Sequence, residues 1–220
     1  MSRSPAEFVA ELDRENHLAL QRIEAASAEG EVPAELTIPR LLLLALKNEL
    51  EATECAAHWI PSTAHVRAKL GFARQAGDEA RHYVLIQKRL LELNIDTASH
   101  DPFAQGRSPL LTYLVSLTDT VERVAAGQFT REALALVRNE QFIRFAEATG
   151  DSATARLYRE IIQPDESHHH ELGRSLLLEL ATTEEAQHRA REASRKTLAM
   201  AEELQEIARL KLGISRAPGC

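Results

Sequence analysis

The chain has 220 residues, 44% of them apolar and 27% charged, with a net charge of −7; this is a globular profile, long enough for one well-buried core. The acidic balance removes any general attraction to nucleic acid, and the only two cysteines, Cys55 and Cys220, exclude a disulfide framework and a CxxC metal motif. The longest apolar run, Leu41 to Leu46, is far too short to span a membrane, and the charges at Arg3, Glu7, Glu11 and Asp13 leave no signal-peptide core; a reducing cytoplasm is the expected location.

Aromatic residues make up only 5% of the chain, while Leu, Ala, Glu and Arg abound, which favours helix over sheet. Ser4-Pro5 is a capped helix start, and Phe8, Leu12, Ala19 and Ile23 extend a stripe from about 5 to 28. Gly30, Pro33 and Pro39 mark 29–39 as a connecting loop. A second helix follows from Arg40 to Trp59, with Ala45, Leu46, Glu49, Ala52 and Ala56 on one stripe. A carboxylate there is costly without a partner. The third helix, about 63–93, has a stripe through Val66, Leu70, Ala73, Glu79, His82, Ile86 and Leu90, with Gly71 and Gly77 inside it. Pro102 and Gly106 make 94–107 a crossover loop, and Ser108-Pro109 starts the next helix, which Gly127 is expected to break or kink.

Helical spacing resumes at Thr130 to Thr149 through Ala133, Leu136, Val137, Glu140, Ile143 and Phe145. The last bundle helix, about 151–181, aligns Tyr158, Ile162, Glu166, His169, Gly173 and Leu176. Pro164 inside it removes a backbone hydrogen bond, so a kink is expected just before Glu166. Thr182 and Glu185 form a capping box for a final helix, about 183–212, whose stripe packs on the bundle or on a second copy of the chain. The whole reads as one all-α domain over 1–220, with a four-helix core at about 40–181 and additional N-terminal and C-terminal helices.

One tetrad occurs twice: Asp78-Glu79-Ala80-Arg81-His82 and Asp165-Glu166-Ser167-His168-His169 both read D-E-x-x-H. Residues three apart share a helical face, so each copy presents a carboxylate and an imidazole together, half of a transition-metal site. A lone E-x-x-H is usually a solvated pair. Two copies, each following a helix with a Glu on its apolar stripe, point to metal. If two antiparallel helices hold ligands at one level, their turn lies near the sequence midpoint. Glu49 with Glu79 gives 64, near Pro61-Ser62-Thr63; Glu140 with Glu166 gives 153, near Gly150-Asp151. Glu122 with Glu166 gives 144, inside a helix, whereas Glu51 with Glu79 gives 65 and stays the runner-up to Glu49. The ligand set is therefore Glu49, Glu79, His82, Glu140, Glu166 and His169; its bland alternative makes Glu49 and Glu140 salt-bridged core residues. Only one of His168, His169 and His170 is taken as a ligand.

The order Glu49, Glu79-x-x-His82, Glu140, Glu166-x-x-His169 resembles the ferritin-like di-iron carboxylate superfamily over about residues 40 to 181. That resemblance implies a ferritin-like four-helix bundle holding two iron ions, with a Mn/Fe pair as an alternative. It implies that Glu79 and Glu166 bridge, that Glu49 and Glu140 are terminal, and that His82 and His169 each serve one metal. Asp78 and Asp165 are placed to orient the His of the opposite motif, which is similar to the oxygen-activating branch; His168 departs from the Arg often found there. Residues 139–172 also resemble, loosely, a tRNA-modifying di-iron hydroxylase, which makes tRNA the one nucleic-acid candidate. The leading expectation is a non-haem di-iron oxidoreductase that activates O2, a hydroxylase or monooxygenase on an unidentified substrate. It takes electrons from an external donor, because the chain has no flavin or Fe–S motif. The alternatives are an iron-binding ferroxidase without an organic substrate and a metal-free helical interaction protein.

Overall fold

A computed structural model describes residues 3–28, 36–212 and 218–219; the segment 29–35 and Cys220 lie outside the described residues. Among the described residues every regular element is helical, and no helix is long and apolar enough to cross a membrane. Helix α1 spans Pro5–Ala28, α2 Ile38–Ser62 and α3 Val66–Glu92. After the crossover come α4 (Pro109–Ser116) and α5 (Thr120–Arg123). Helix α5 runs through a widened π-helical stretch, Val124–Arg131, into α6 (Glu132–Ala148). Helix α7 (Ser152–Leu157) runs through a second such stretch, Tyr158–Ile162, into α8 (Gln163–Leu180), and α9 covers Glu184–Leu212.

The starts of these helices follow from their caps. Ser4 and Glu7 cap reciprocally: the Glu7 amide donates to Ser4 Oγ and the Ser4 amide to Glu7 Oε2. Ser108 Oγ accepts from the Leu111 amide ahead of Pro109. The final helix is capped by Thr183, whose Oγ1 accepts from Ala186 N at 3.1 Å, not by Thr182 as the capping-box spacing suggests. The helical path breaks at Leu117–Asp119, ahead of the expected Gly127. Gly127 instead lies inside the first π-helical stretch, where a β-carbon would sit 2.7 Å from the Trp59 ring. The irregularity expected at Pro164 takes the form of the second π-helical stretch, Tyr158–Ile162, which ends just before Pro164 at the start of α8.

Helices α2 and α3 form one antiparallel pair, and α6 with α8 form the other. Between them lie two apolar layers. One contains Cys55, Trp59, Phe72, Phe129 and Leu176; the other contains Leu42, Leu46, Ile86, Phe142, Tyr158 and Ile162. Helix α1 and helix α9 pack outside, around Ala19, Leu20, Ile23, Leu134, Leu198 and Ala201. On α3 the buried stripe is Ala68, Phe72, Gln75, Glu79, His82, Ile86 and Leu90. Val66 and Leu70, expected on it, are 67% and 64% exposed and Ala73 is exposed, because counting back from Glu79 in steps of three and four reaches 75, 72 and 68.

The first π-helical stretch is fastened on every side. Thr130 Oγ1, Asn16 and Ser194 form a closed buried ring of hydrogen bonds at 2.7–2.9 Å that ties it to α1 and α9. His170 stacks on Phe129 and bonds its carbonyl at 2.7 Å. Gly173 of α8 lies so close that an added β-carbon would be 2.7 Å from the Gln128 carbonyl carbon and the Phe129 nitrogen. Backbone cannot give way there, so Gly173→Ala is expected to cost about 1–3 kcal/mol or more. Gly77, with open space around its β-position, is expected to gain roughly 0.5–1 kcal/mol as Ala. Urea denaturation of both variants measures the two signs.

Candidate metal centre

Between the two apolar layers lies a polar layer. Glu49 comes from α2, Glu79 and His82 from α3, Glu132 from the start of α6, and Glu166 and His169 from α8. None is more than 3% exposed. Their ligand atoms form two overlapping groups, Glu49, Glu79, His82 and Glu166, and Glu79, Glu132, Glu166 and His169. Within each group the atoms lie within 4.8 Å of one another. Glu79 and Glu166 belong to both, so they stand between two positions, each flanked by one further carboxylate and one imidazole.

The structure brings together five of the six residues selected from sequence. Glu140 is the exception and is corrected: its side chain is 45% exposed and pairs with Arg144 at 3.1 Å. The stripe of Ala133 and Val137, on which Glu140 was placed, packs toward α1 and α9. Helix α6 is buried on two sides, and the side facing the centre carries Glu132, Ala135, Asn139, Phe142 and Ala146. The hairpin test had the means to find Glu132, since its midpoint with Glu166 is 149, at the turn before Gly150. The other candidates fall elsewhere. Glu51 is buried but accepts hydrogen bonds from the backbone amide and hydroxyl of Ser108, anchoring the crossover to α2. Glu122 lies in α5, outside both groups.

Each imidazole is oriented by the aspartate of the opposite motif. His82 Nε2 meets Asp165 Oδ2 at 3.0 Å, and His169 Nε2 meets Asp78 Oδ2 at 3.1 Å. Each aspartate also accepts from an arginine, Asp165 from Arg81 and Asp78 from Arg74. Arg74 therefore does for Asp78 what Arg81 does for Asp165, and His168 is left exposed. With Nε2 committed to Asp, each Nδ1 faces the carboxylates. His82 Nδ1 lies 3.3 Å from Glu79 and 3.4 Å from Glu49; His169 Nδ1 lies 3.5 Å from Glu166. A metal-bound imidazole uses the same arrangement, one ring nitrogen toward a carboxylate and the other toward the metal.

The electrostatics point the same way. Burial pushes Glu49 up to about 7, and burial together with the charges of Glu79 and Glu132 raises Glu166 well above the usual carboxylate range. Burial acts on Glu132 too, but the neighbouring Glu166 carboxyl and His169 imidazole, with the charge of Arg131, outweigh it and hold Glu132 down at about 2. His169 rises to about 9 against its burial, through Glu132 and Glu79, and His82 rises through Glu49 and Glu79. The metal-free cluster thus stays buried by holding protons. Two divalent cations in place of those protons would balance the four carboxylates. Glu166 Oε2 and His169 Nδ1, both without a hydrogen-bond partner, fit that role, as hard carboxylate and imidazole donors suit a transition metal. Beside them the fully buried Tyr158 hydroxyl also lacks a hydrogen-bond partner, and burial with the charges of Glu49 and Glu166 pushes its pKa up.

Comparison with known proteins adds no relative: the chain matches no protein-family model, no curated protein and no solved structure.

Glu132→Ala is expected to cut bound metal by half or more, while Glu140→Ala leaves it at the wild-type level; elemental analysis of the purified variants reads this directly. The reverse order would return Glu140 to the site. A pH dependence follows from the raised groups. In the metal-free chain Glu49 moves from 4.5 to about 7 and His169 from 6.5 to about 9. Groups raised on folding contribute stability that is complete below their unfolded values and is lost as pH climbs through the folded ones. The Tm of the metal-free chain is therefore expected to fall between about pH 4.5 and 9, and the gain on adding metal to widen over the same range. A Tm that rises from pH 5 to 8 in the presence of chelator contradicts this.

Proposed function

We propose that the chain is a ferritin-like di-iron oxidoreductase that activates O2, a hydroxylase or monooxygenase in class. The observation that carries the reading is the pair of overlapping buried ligand sets sharing Glu79 and Glu166, with each histidine braced by the opposite motif's aspartate. Two adjacent ferrous ions, when bound, supply electrons for the reduction of O2.

The chain's own residues do the rest. Glu49 with His82 and Glu132 with His169 give each metal position a terminal carboxylate and an imidazole. Glu79 and Glu166 hold the two positions together. Asp78 and Asp165 keep the imidazole tautomers and resist ring rotation, and the arginines hold the aspartates. The apolar layers around Trp59 and Phe72 and around Phe142 and Tyr158 keep bulk water out, so charges inside act at low dielectric. Renewed turnover requires an electron donor from outside, because the sequence has no flavin or Fe–S motif. The paired aspartates favour oxygen chemistry over iron storage, and the packing of α9 on the same chain's α1 and α5 supports a centre complete within one chain.

Anaerobic loading with Fe(II) is expected to reach two irons per chain. Mixing with O2 and excess chemical reductant should give repeated O2 consumption with the iron count held at two. Iron accumulating far beyond two per chain would instead identify a storage ferroxidase, and selective uptake of one Mn with one Fe would identify the mixed-metal form. Glu79→Ala and His169→Ala should each lose iron and O2 consumption together; full iron occupancy in both variants sinks the assignment.

A further inference from the structure

The peptide unit between Pro218 and Gly219 is buried against the edge of the polar layer. Asn48 Nδ2 donates to the Pro218 carbonyl at 2.9 Å, and the Gly219 N–H donates to Asn139 Oδ1 at 2.8 Å. The carbonyl and N–H belong to one peptide plane, so two asparagine side chains from two different helices read both of its hydrogen-bonding edges. Asn48 immediately precedes Glu49, and Asn139 lies two turns beyond Glu132 on the same buried face of α6. The clamp thus lies next to Glu49 and on the same buried face of α6 as Glu132, two turns away. A β-carbon on Gly219 would lie 3.3 Å from the Asn48 β-carbon and 3.7 Å from Glu49 Oε1, and Gly219 has φ +74°, a conformation that favours glycine.

Packing alone does not account for the polar groups. Asn139 is 1% exposed and its Nδ2 has no hydrogen-bond partner. A buried amide donor left unpaired costs about 1–3 kcal/mol. A hydrophobic residue would hold a passing segment without that cost. Asn139 therefore offers one donor more than the Pro218–Gly219 peptide uses.

We infer that Asn48 and Asn139 form a receptor for one secondary amide at the edge of the metal centre, filled in this structure by the chain's own Pro218–Gly219 peptide. The substrate class that replaces it is a small molecule or peptide carrying a secondary amide with a further hydrogen-bond acceptor for Asn139 Nδ2. Binding there sets a substituent on the carbon next to the amide nitrogen toward Glu49. The receptor rests on geometry alone; its role in substrate binding rests on the oxidoreductase reading above.

The test uses the full chain, labelled with ¹⁵N, and N-acetylglycine N-methylamide as the probe. Gly219→Val releases the internal peptide, since a β-branched residue is strained at that φ and its side chain meets Asn48. In this variant the side-chain amide signals of Asn48 and Asn139 are expected to shift saturably with the probe, and wild type to need at least tenfold more probe. N,N-dimethylacetamide, which lacks the N–H, is expected to bind at least tenfold more weakly. Absence of a saturable shift in Gly219→Val, equal affinity in variant and wild type, or equal binding of the tertiary amide each overturns the receptor. Metal content measured on the same samples separates the two readings. Two metals without amide binding removes the receptor alone, whereas amide binding without metal removes the metal centre and the substrate assignment with it.

Discussion

Four carboxylates and two imidazoles lie together in an interior that would otherwise be apolar. An isolated ionised carboxylate in such surroundings is heavily disfavoured. Each of the six must therefore share a proton or a cation with its neighbours, and the surrounding architecture serves that need. The helices that supply them are buried along their lengths by leucine, isoleucine and aromatic side chains on either side of the polar layer. Fully buried side chains of this kind are worth about 1.5–3 kcal/mol each, so the two apolar layers offset the strain of the middle one. A fold with this distribution is held together at its ends and carries its buried charge at its centre.

The two halves of the site are similar but not equal. Both histidines are braced by an aspartate from the facing helix, so α3 and α8 lock each other in register through the groups that orient the imidazoles. The difference lies in the arginines. Arg81 reaches across to Asp165, while Asp78 is served from its own helix by Arg74, four residues earlier. The departure at His168 therefore leaves no aspartate uncompensated. Asymmetry appears again at Glu49 and Glu132. Glu49 comes from a regular stretch of α2, whereas Glu132 follows directly on a π-helical stretch whose wider turn shifts the facing of every residue after it. That stretch is pinned by the Asn16, Thr130 and Ser194 ring and by His170, so α1 and α9 act on the position of Glu132 without touching it.

Much of this was legible in the residues. The helix from 5 to 28, the capped start at Ser108-Pro109, the stripe from Tyr158 to Leu176 and the two D-E-x-x-H tetrads all depend on spacing within one helix, and spacing within one helix is set by a fixed rise and turn. The cross-bracing of His82 by Asp165 and His169 by Asp78 was also readable, because two antiparallel copies of one motif put each aspartate opposite the other's histidine. Glu140 was misplaced for an equally definite reason. Helix α6 is apolar on two sides, one toward α1 and α9 and one toward the centre, and periodicity identifies an apolar face without saying what it faces.

By itself, the sequence determined an all-helical chain and the pairing of carboxylates with imidazoles on two of its helices, since local periodicity and three-residue spacing are properties of a single helix. Only the tertiary structure decided that Glu132 rather than Glu140 completes the set, that Glu51 anchors the crossover, and that the Pro218–Gly219 peptide lies against Glu49. Each of these depends on which faces of separate helices meet, and on a π-helical turn that no one-dimensional pattern records.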